Sequence, residues 1–377
     1  MRSILLGSKR QPTPLQKGSV MRAIPRPYDT MRRYFDQHLS LSEALTHNLA
    51  LWVYGLFKAR SCHLGKVADE LPLEGQKDSL IQRLKRWLMN DHLDVPQLYR
   101  QLMIPWLAGW SSGNELILIL DRFEVAGRFN VLMLALAFRG RALPLTWQIL
   151  SHKGSCSFAE QKALLERVLP DLPATAAIAL MGDGEFRSIE LFTYARTQGW
   201  DFCLGHKGNT FIFRPDEQRW QRLDTLEVQP GKPIYLEGIK LTQQASFGPL
   251  NLMAFWDEED QCPRYRFTNR PANGHTLRWS RKRSWIEGLI RDFKSGGFQL
   301  DDTRLEHEAR LNRLLLAMAI ATWWFVAMAT RLIKQGRRRE IDSARKRAHT
   351  YFQIGWSWLK KQARLGQPIP FEMAICT

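Results

Sequence analysis

Residues 115–121 read ELILILD, and the fold turns on how that run is read. Apolar residues in unbroken succession, too few for an ordinary helix, describe a short strand buried on both faces. Downstream, FNVLMLALAFRG (129–140) and LPLTWQIL (143–150) are strand-like and separated by the turn-prone GRA. SFAEQKALLERVL (157–169) then reads as helix, AIALMGDG (177–184) as a buried strand, SIELFTYARTQG (188–199) as helix and DFCLGHK (201–207) as strand. Three strands followed by alternating helix and strand predict a mixed sheet with helices on its faces.

Upstream the period is helical. SLSEALTHNLALWVYGLFKA (40–59) opens with Ser40 three residues before Glu43, a capping-box spacing. LGKVADEL (64–71) follows, then DSLIQRLKRWLMN (78–90), which carries Arg83, Lys85 and Arg86 beside an apolar stripe. Two short helices with a basic second member resemble a DNA-binding module, although a solvated face on a structural helix explains the same charges. Between residues 208 and 270 the pattern changes again: TFIFRP, PIYLEGIKLT, LNLMAFW and YRFTNR predict an all-β insertion.

The resulting division is a basic arm at 1–27, a helical DNA-binding domain at 28–110, a first core segment at 111–207 and the insertion at 208–270. A second core segment follows at 271–335, then a basic helical region at 336–377. LLLAMAIATWWFVAMAT (314–330) is apolar throughout. It lies at the lower end of the roughly 17–25 residues that span a membrane, and one such segment in a basic chain is expected to be a buried core helix.

Lys and Arg number 54 against 37 Asp and Glu, a net charge of +17, which favours a polyanionic partner, nucleic acid before an anionic membrane surface. The five cysteines are scattered and odd in number, so neither a disulfide framework nor a cysteine zinc site is indicated and a reducing cytoplasm is expected. His152 and His206 have no metal-ligand spacing.

Three acids stand out. Asp121 ends the first apolar strand, Asp183 ends the later one, and Glu287 lies in RSWIEGLIRDFKSGG (283–297), a helix with apolar Trp285, Ile286, Leu289, Ile290 and Phe293. Arg283, Glu287 and Lys294 share one face of it. Taken alone, Arg283 and Glu287 make an ordinary surface ion pair, and each Asp an ordinary turn residue. Together, two strand-end aspartates and a helix-borne Glu describe a carboxylate cluster at the edge of a sheet. Crowded carboxylates repel unless a cation lies between them, and hard oxygens suit Mg²⁺ or Mn²⁺. Two such ions about 4 Å apart would serve both sides of a phosphodiester, with Arg283 and Lys294 on the flanking phosphates.

RSWIEGLIRDFKSGGFQLDDTRL, with LILDRF around Asp121 and MGDGEF around Asp183, resembles the DDE transposases of the family-four insertion sequences, kin of the Tn-five enzyme. Arg283, Glu287 and Lys294 match the last three members of that group's Tyr-Arg-Glu-Lys signature, while Ser280 stands at the Tyr position beside Trp279. The likeness spans roughly residues 30–360. It implies an RNase H-like core interrupted by a β insertion, with Asp121, Asp183 and Glu287 as the catalytic and metal-binding acids. It also implies two Mg²⁺ or Mn²⁺ ions, cleavage at transposon ends, strand transfer to target DNA, and a homodimer holding two ends in a prokaryotic cytoplasm. Relatives with this insertion form a DNA hairpin with a flipped base stacked on an aromatic residue, for which Trp220, Trp256 and Trp285 are candidates. Two other readings remain open: a DNA-binding regulator derived from an inactive transposase, and another metal nuclease on the same core.

Overall fold

The structure, a computed structural model, describes residues 28–110 and 115–375; the expected basic arm and Cys376 lie outside them. The described residues open with five helices, α1 (Asp29–His38), α2 (Glu43–Ala59), α3 (Leu64–Asp69), α4 (Lys77–Leu88) and α5 (Val95–Ala108). The capping box expected at Ser40 does not form. The helix starts after Ser42, Glu43 pairs instead with Arg32 at 3.0 Å, and the Ser40 backbone N–H donates to Gln101. Helix α5 is capped by Asp94, which accepts from the Gln97 N–H.

Strands β1 (Leu116–Val125), β2 (Phe129–Phe138) and β3 (Arg141–Leu150) form an antiparallel meander. The β2–β3 turn is made by Arg139 and Gly140, both at positive φ, the backbone a two-residue hairpin needs to match strand twist. Then come α6 (Phe158–Val168), β4 (Ile178–Gly182), α7 (Ile189–Thr197) and β5 (Asp201–His206). Helix α6 begins with a complete capping box between Ser157 and Glu160. Five further strands follow: β6 (Phe211–Arg214), β7 (Arg219–Arg222), β8 (Ile234–Leu241), β9 (Phe247–Asp257) and β10 (Cys262–Thr268). Helices α8 (Gly274–Ser280), α9 (Trp285–Phe293), α10 (Glu308–Lys334) and α11 (Tyr351–Arg364) complete the chain.

All ten strands share one mixed sheet in the order β3-β2-β1-β4-β5-β10-β9-β8-β6-β7. Strands β1, β4 and β5 are parallel neighbours, as the intervening helices require. The strands of the 208–270 region continue this sheet rather than forming a second one, because β10 pairs antiparallel with β5, Tyr265 opposite His206. The architecture is thus mixed α/β, a large sheet with flanking helices, consistent with an RNase H-like core.

Helix α10 is the hub. It packs on α2, α4, α5, β3 and α11, and its residues from Leu314 to Thr330 are all buried. It is the one helix among the described residues long and apolar enough to cross a membrane, yet 89% of that window is buried inside the fold. Its closest neighbour is α11, where Gly355 meets the Phe325 carbonyl so tightly that a Cβ would stand 1.7 Å from the oxygen. The four described cysteines are all free.

Candidate active site

Asp121 is not the last residue of its strand, as the apolar run suggested. β1 continues through Arg122 to Val125 because it goes on pairing with β2, Asp121 opposite Met133. The parallel β1–β4 ladder does end there: Leu120 lies opposite Gly182 in its final pair. Asp121 is the next residue of β1 and Asp183 the first residue past β4, so register alone sets the two acids side by side. Close packing holds this point rigid. A Cβ on Gly205 of β5 would stand 2.7 Å from the Gly184 nitrogen and 2.8 Å from the Asp183 carbonyl carbon.

Glu287 arrives on α9, which packs across β1, β2 and β3. Arg283, in the single 3-10 turn Arg281–Ser284 before that helix, joins all three acids. Its Nη2 lies 3.4 Å from Asp121 Oδ2 and 3.4 Å from Asp183 Oδ2, and its Nη1 donates to Glu287 Oε1. The Arg283 Nε is buried without a partner.

The acids differ in environment. The Asp121 side chain is 10% exposed, against 40% for Asp183 and 50% for Glu287. Asp121 is therefore the floor of the site, and the other two form a rim open to solvent. Burial pushes the Asp121 carboxyl up to about 6. The Arg283 cation and the N–H of Arg122 pull it down, while the neighbouring Asp183 and Glu287 raise it. Asp183 Oδ1 accepts from the Glu185 N–H at 2.9 Å, an Asx-type turn that orients it.

Sequence reasoning missed the brace behind these acids. Arg122 Nε donates to Glu185 Oε1 at 2.7 Å, and Arg122 Nη1 to Asn130 Oδ1 at 2.9 Å. Asn130 Nδ2 in turn donates to the carbonyls of His152 and Gly154. Arg122 thus ties β1 to the loop after β4 through Glu185, and through Asn130 to the segment before α6. The only signal in the sequence was an Arg one residue beyond the first aspartate and a Glu two residues beyond the second, a pattern that names no partner.

The remaining site residues are placed as follows. Lys294 lies just past the end of α9, its Nζ 3.5 Å from Asp301 Oδ2, and it makes no ion pair with the three acids. Asp301 also accepts from the Ala126 N–H at the β1–β2 turn. On α4, Arg83 is half-buried and donates to Asn48 on α2, whereas Lys85 and Arg86 are exposed. Ser280 is fully buried, accepting from Arg266 Nη1 at 2.6 Å and donating to the Leu277 carbonyl. Trp279 lies on α8 next to it. Its indole N–H donates to Glu115, and the Arg270 guanidinium lies 4.0 Å from its ring, so it is a core residue at the start of β1.

Among the candidate aromatics, Trp220 packs on Phe213 near the far edge of the sheet, while Trp256 and Trp285 are half-buried. His152 bonds Glu160 at 2.9 Å. His206 is buried between Phe192 and Phe267, and desolvation drives its pKa down to about 3. A cleft of about 450 Å³ between α5 and β3 contains none of the three acids.

Among the described residues, no three His, Cys, Asp or Glu side chains stand at the spacing that holds one metal ion. The donor set at the sheet edge nevertheless has the chemistry for a hard divalent cation, three carboxylates gathered around a positive group. Residues 116–324, more than half of the chain, match the family model for the transposase DDE domain, and the chain belongs to that family. No curated protein matches it.

Proposed function

We propose that this member of the transposase DDE family cuts DNA at the ends of its own mobile element and joins the freed 3′ ends to a target. The route we infer is Mg²⁺-dependent cut-and-paste, with Asp121, Asp183 and Glu287 as the catalytic acids. The observation that carries this reading is the convergence of the three carboxylates, from two neighbouring strands and one crossing helix, on a single cation.

All three acids offer hard oxygen, which suits Mg²⁺ or Mn²⁺. Two such ions, when bound, would activate the attacking oxygen and neutralise the leaving one. The chain's own residues divide the remaining work. Asp121, buried and fixed by the Arg122 N–H, is a floor ligand that moves little. Asp183 and Glu287 face the opening through which a phosphodiester approaches. Arg283 binds a phosphate oxygen beside the reacting one, and Lys294, at the far end of α9, a phosphate further along. Lys85 and Arg86, exposed on α4, together with Arg83, hold backbone phosphates of the element end and so position the DNA without reading its sequence.

The Arg283–Glu287–Lys294 spacing supports a place among the family-four insertion sequences, kin of the Tn-five enzyme, with Ser280 as the departure. In this reading two protomers bring two DNA ends together. Residues 28–110 form the DNA-binding unit, and the chain works on nucleoid DNA in a prokaryotic cytoplasm. The test is incubation of the full chain with duplex DNA carrying the element's ends, in Mg²⁺ and in EDTA, beside Glu287→Gln. Metal-dependent nicking at the boundary, abolished in the variant, is expected. Tight, metal-independent binding without nicking would replace the proposal with a DNA-binding regulator.

A further inference from the structure

We propose that Arg283 is a built-in cation that holds the acid cluster in the DNA-free protein, and that DNA and metal ions must displace it together. The inference deepens the reading of the three acids above and depends on it.

The guanidinium does not lie beside the cluster; it lies within it. One nitrogen is shared equally by Asp121 and Asp183 at 3.4 Å, and the other is bonded to Glu287. Among the described residues no acid pair of the three is bridged in any other way, and a planar fork sets the spacing of the carboxylates. Mg²⁺ binds oxygens at about 2.0–2.1 Å in a closed octahedron. The fork tip and such an ion therefore compete for the same space. Three carboxylates around one guanidinium still carry two uncompensated negative charges, so a dication is attracted to the site even while Arg283 blocks it.

Arg283 is free to leave. It belongs to the 3-10 turn Arg281–Ser284 and not to α9 itself, so its side chain can swing without moving the helix that carries Glu287. Its surroundings decide where it can go. Besides the three acids, the charges that bear on this region are the half-buried Arg266, repelled by Arg283 and Arg281 and attracted by Asp257, and Lys282 beside Arg283 in the turn. Once turned away from the acids, the guanidinium loses its three carboxylate partners and is left near the cations of Arg266, Arg281 and Lys282. A polyanion is the partner that resolves this, and the bidentate fork fits a phosphate.

DNA backbone phosphate would thus draw Arg283 off the acids and open them to metal, and metal would release Arg283 to the DNA. By linkage the two affinities rise together and by the same factor. The consequence is a guard against idle chemistry: a metal-loaded, hydrolytic site forms only with DNA in place.

The experiment measures Mn²⁺ binding by calorimetry and by the loss of the free-ion electron paramagnetic resonance signal, with no reference to cleavage. It uses the full chain, with and without a duplex carrying the element's end. Wild type is expected to bind Mn²⁺ at least about tenfold more tightly with DNA than without. Arg283→Gln without DNA should already bind about tenfold more tightly than wild type, with little further gain on adding DNA. An unchanged or weaker Mn²⁺ affinity in DNA-free Arg283→Gln overturns the proposal. If that variant does not fold, as judged by circular dichroism, Arg283→Lys takes its place. It keeps the charge but loses the fork, so tighter DNA-free Mn²⁺ binding than wild type is expected, and equal affinity overturns the proposal. Adding Asp121→Asn to Arg283→Gln separates the two levels of argument. If Mn²⁺ binding survives that double change, the acids do not hold the ion and the reading of the site itself falls.

Discussion

Replacing Asp121 by Asn should make the protein more stable at alkaline pH than at acid pH, relative to wild type. The carboxyl is buried and pushed up to about 6 from an ordinary 3.8. A group whose folded pKa is raised stabilises the fold fully below its unfolded pKa, and that contribution is lost as pH rises through the folded value. Roughly two pKa units correspond to about 3 kcal/mol between the two limits. About half of it, ~1.5 kcal/mol, falls between pH 5 and pH 8. Asn has nearly the same shape and does not ionise, so this loss is absent from the variant. The attraction between the ionised carboxylate and Arg283 is already contained in the value of about 6, so it adds no separate pH dependence. The quantity to read is therefore the change with pH in the stability difference between variant and wild type. Urea unfolding in EDTA, followed by tryptophan fluorescence at pH 5 and pH 8, measures it directly. The difference should move in favour of Asp121→Asn by on the order of 1–2 kcal/mol. A difference independent of pH would mean that Asp121 titrates like an exposed acid, and the closed floor of the site would be wrong.

Three further predictions concern the scaffold. Gly205→Ala places a methyl against the backbone of Asp183 and Gly184; displacement of that carboxylate by part of an ångström should lower strand cleavage by about tenfold or more, while circular dichroism shows the fold retained. Gly355→Ala drives a methyl into the Phe325 carbonyl and should cost about 3 kcal/mol or more, read as a fall in Tm without a change in the metal dependence of the protein that still folds. Glu185→Leu removes the closest carboxylate partner of the half-buried Arg122 guanidinium, leaving it Asn130, and should destabilise by about 1–3 kcal/mol. The Arg122→Leu/Glu185→Leu double variant should lose less than the sum of the two singles, since both break one contact.

Much was legible because it is local. The unbroken apolar run of β1, the turn between β2 and β3 at the GRA stretch and the amphipathic stripe of α9 each report a backbone preference or a buried face within a few residues. The three acids could be picked out for the same reason, two at the ends of buried apolar runs and one interrupting a basic helix. The apolar 314–330 segment was also readable as core, although length alone leaves it close to a membrane span.

Only the tertiary structure settled what depends on distant pairing. Asp121 sits within its strand and not at the end, because β2 extends β1 past the point where β4 stops. The β strands after residue 208 join the core sheet because β10 finds the free edge of β5, which no pattern inside those strands announces. Ser280 is taken up by Arg266, and Lys294 by Asp301. Arg283 and Asp121, 162 residues apart in sequence, become partners only when α9 is laid across β1. Periodicity records which face of an element avoids water, and that much the amino-acid sequence determines by itself. Which charges meet depends on strand register and helix placement, set by the packing of the whole core, and those the folded structure alone decides.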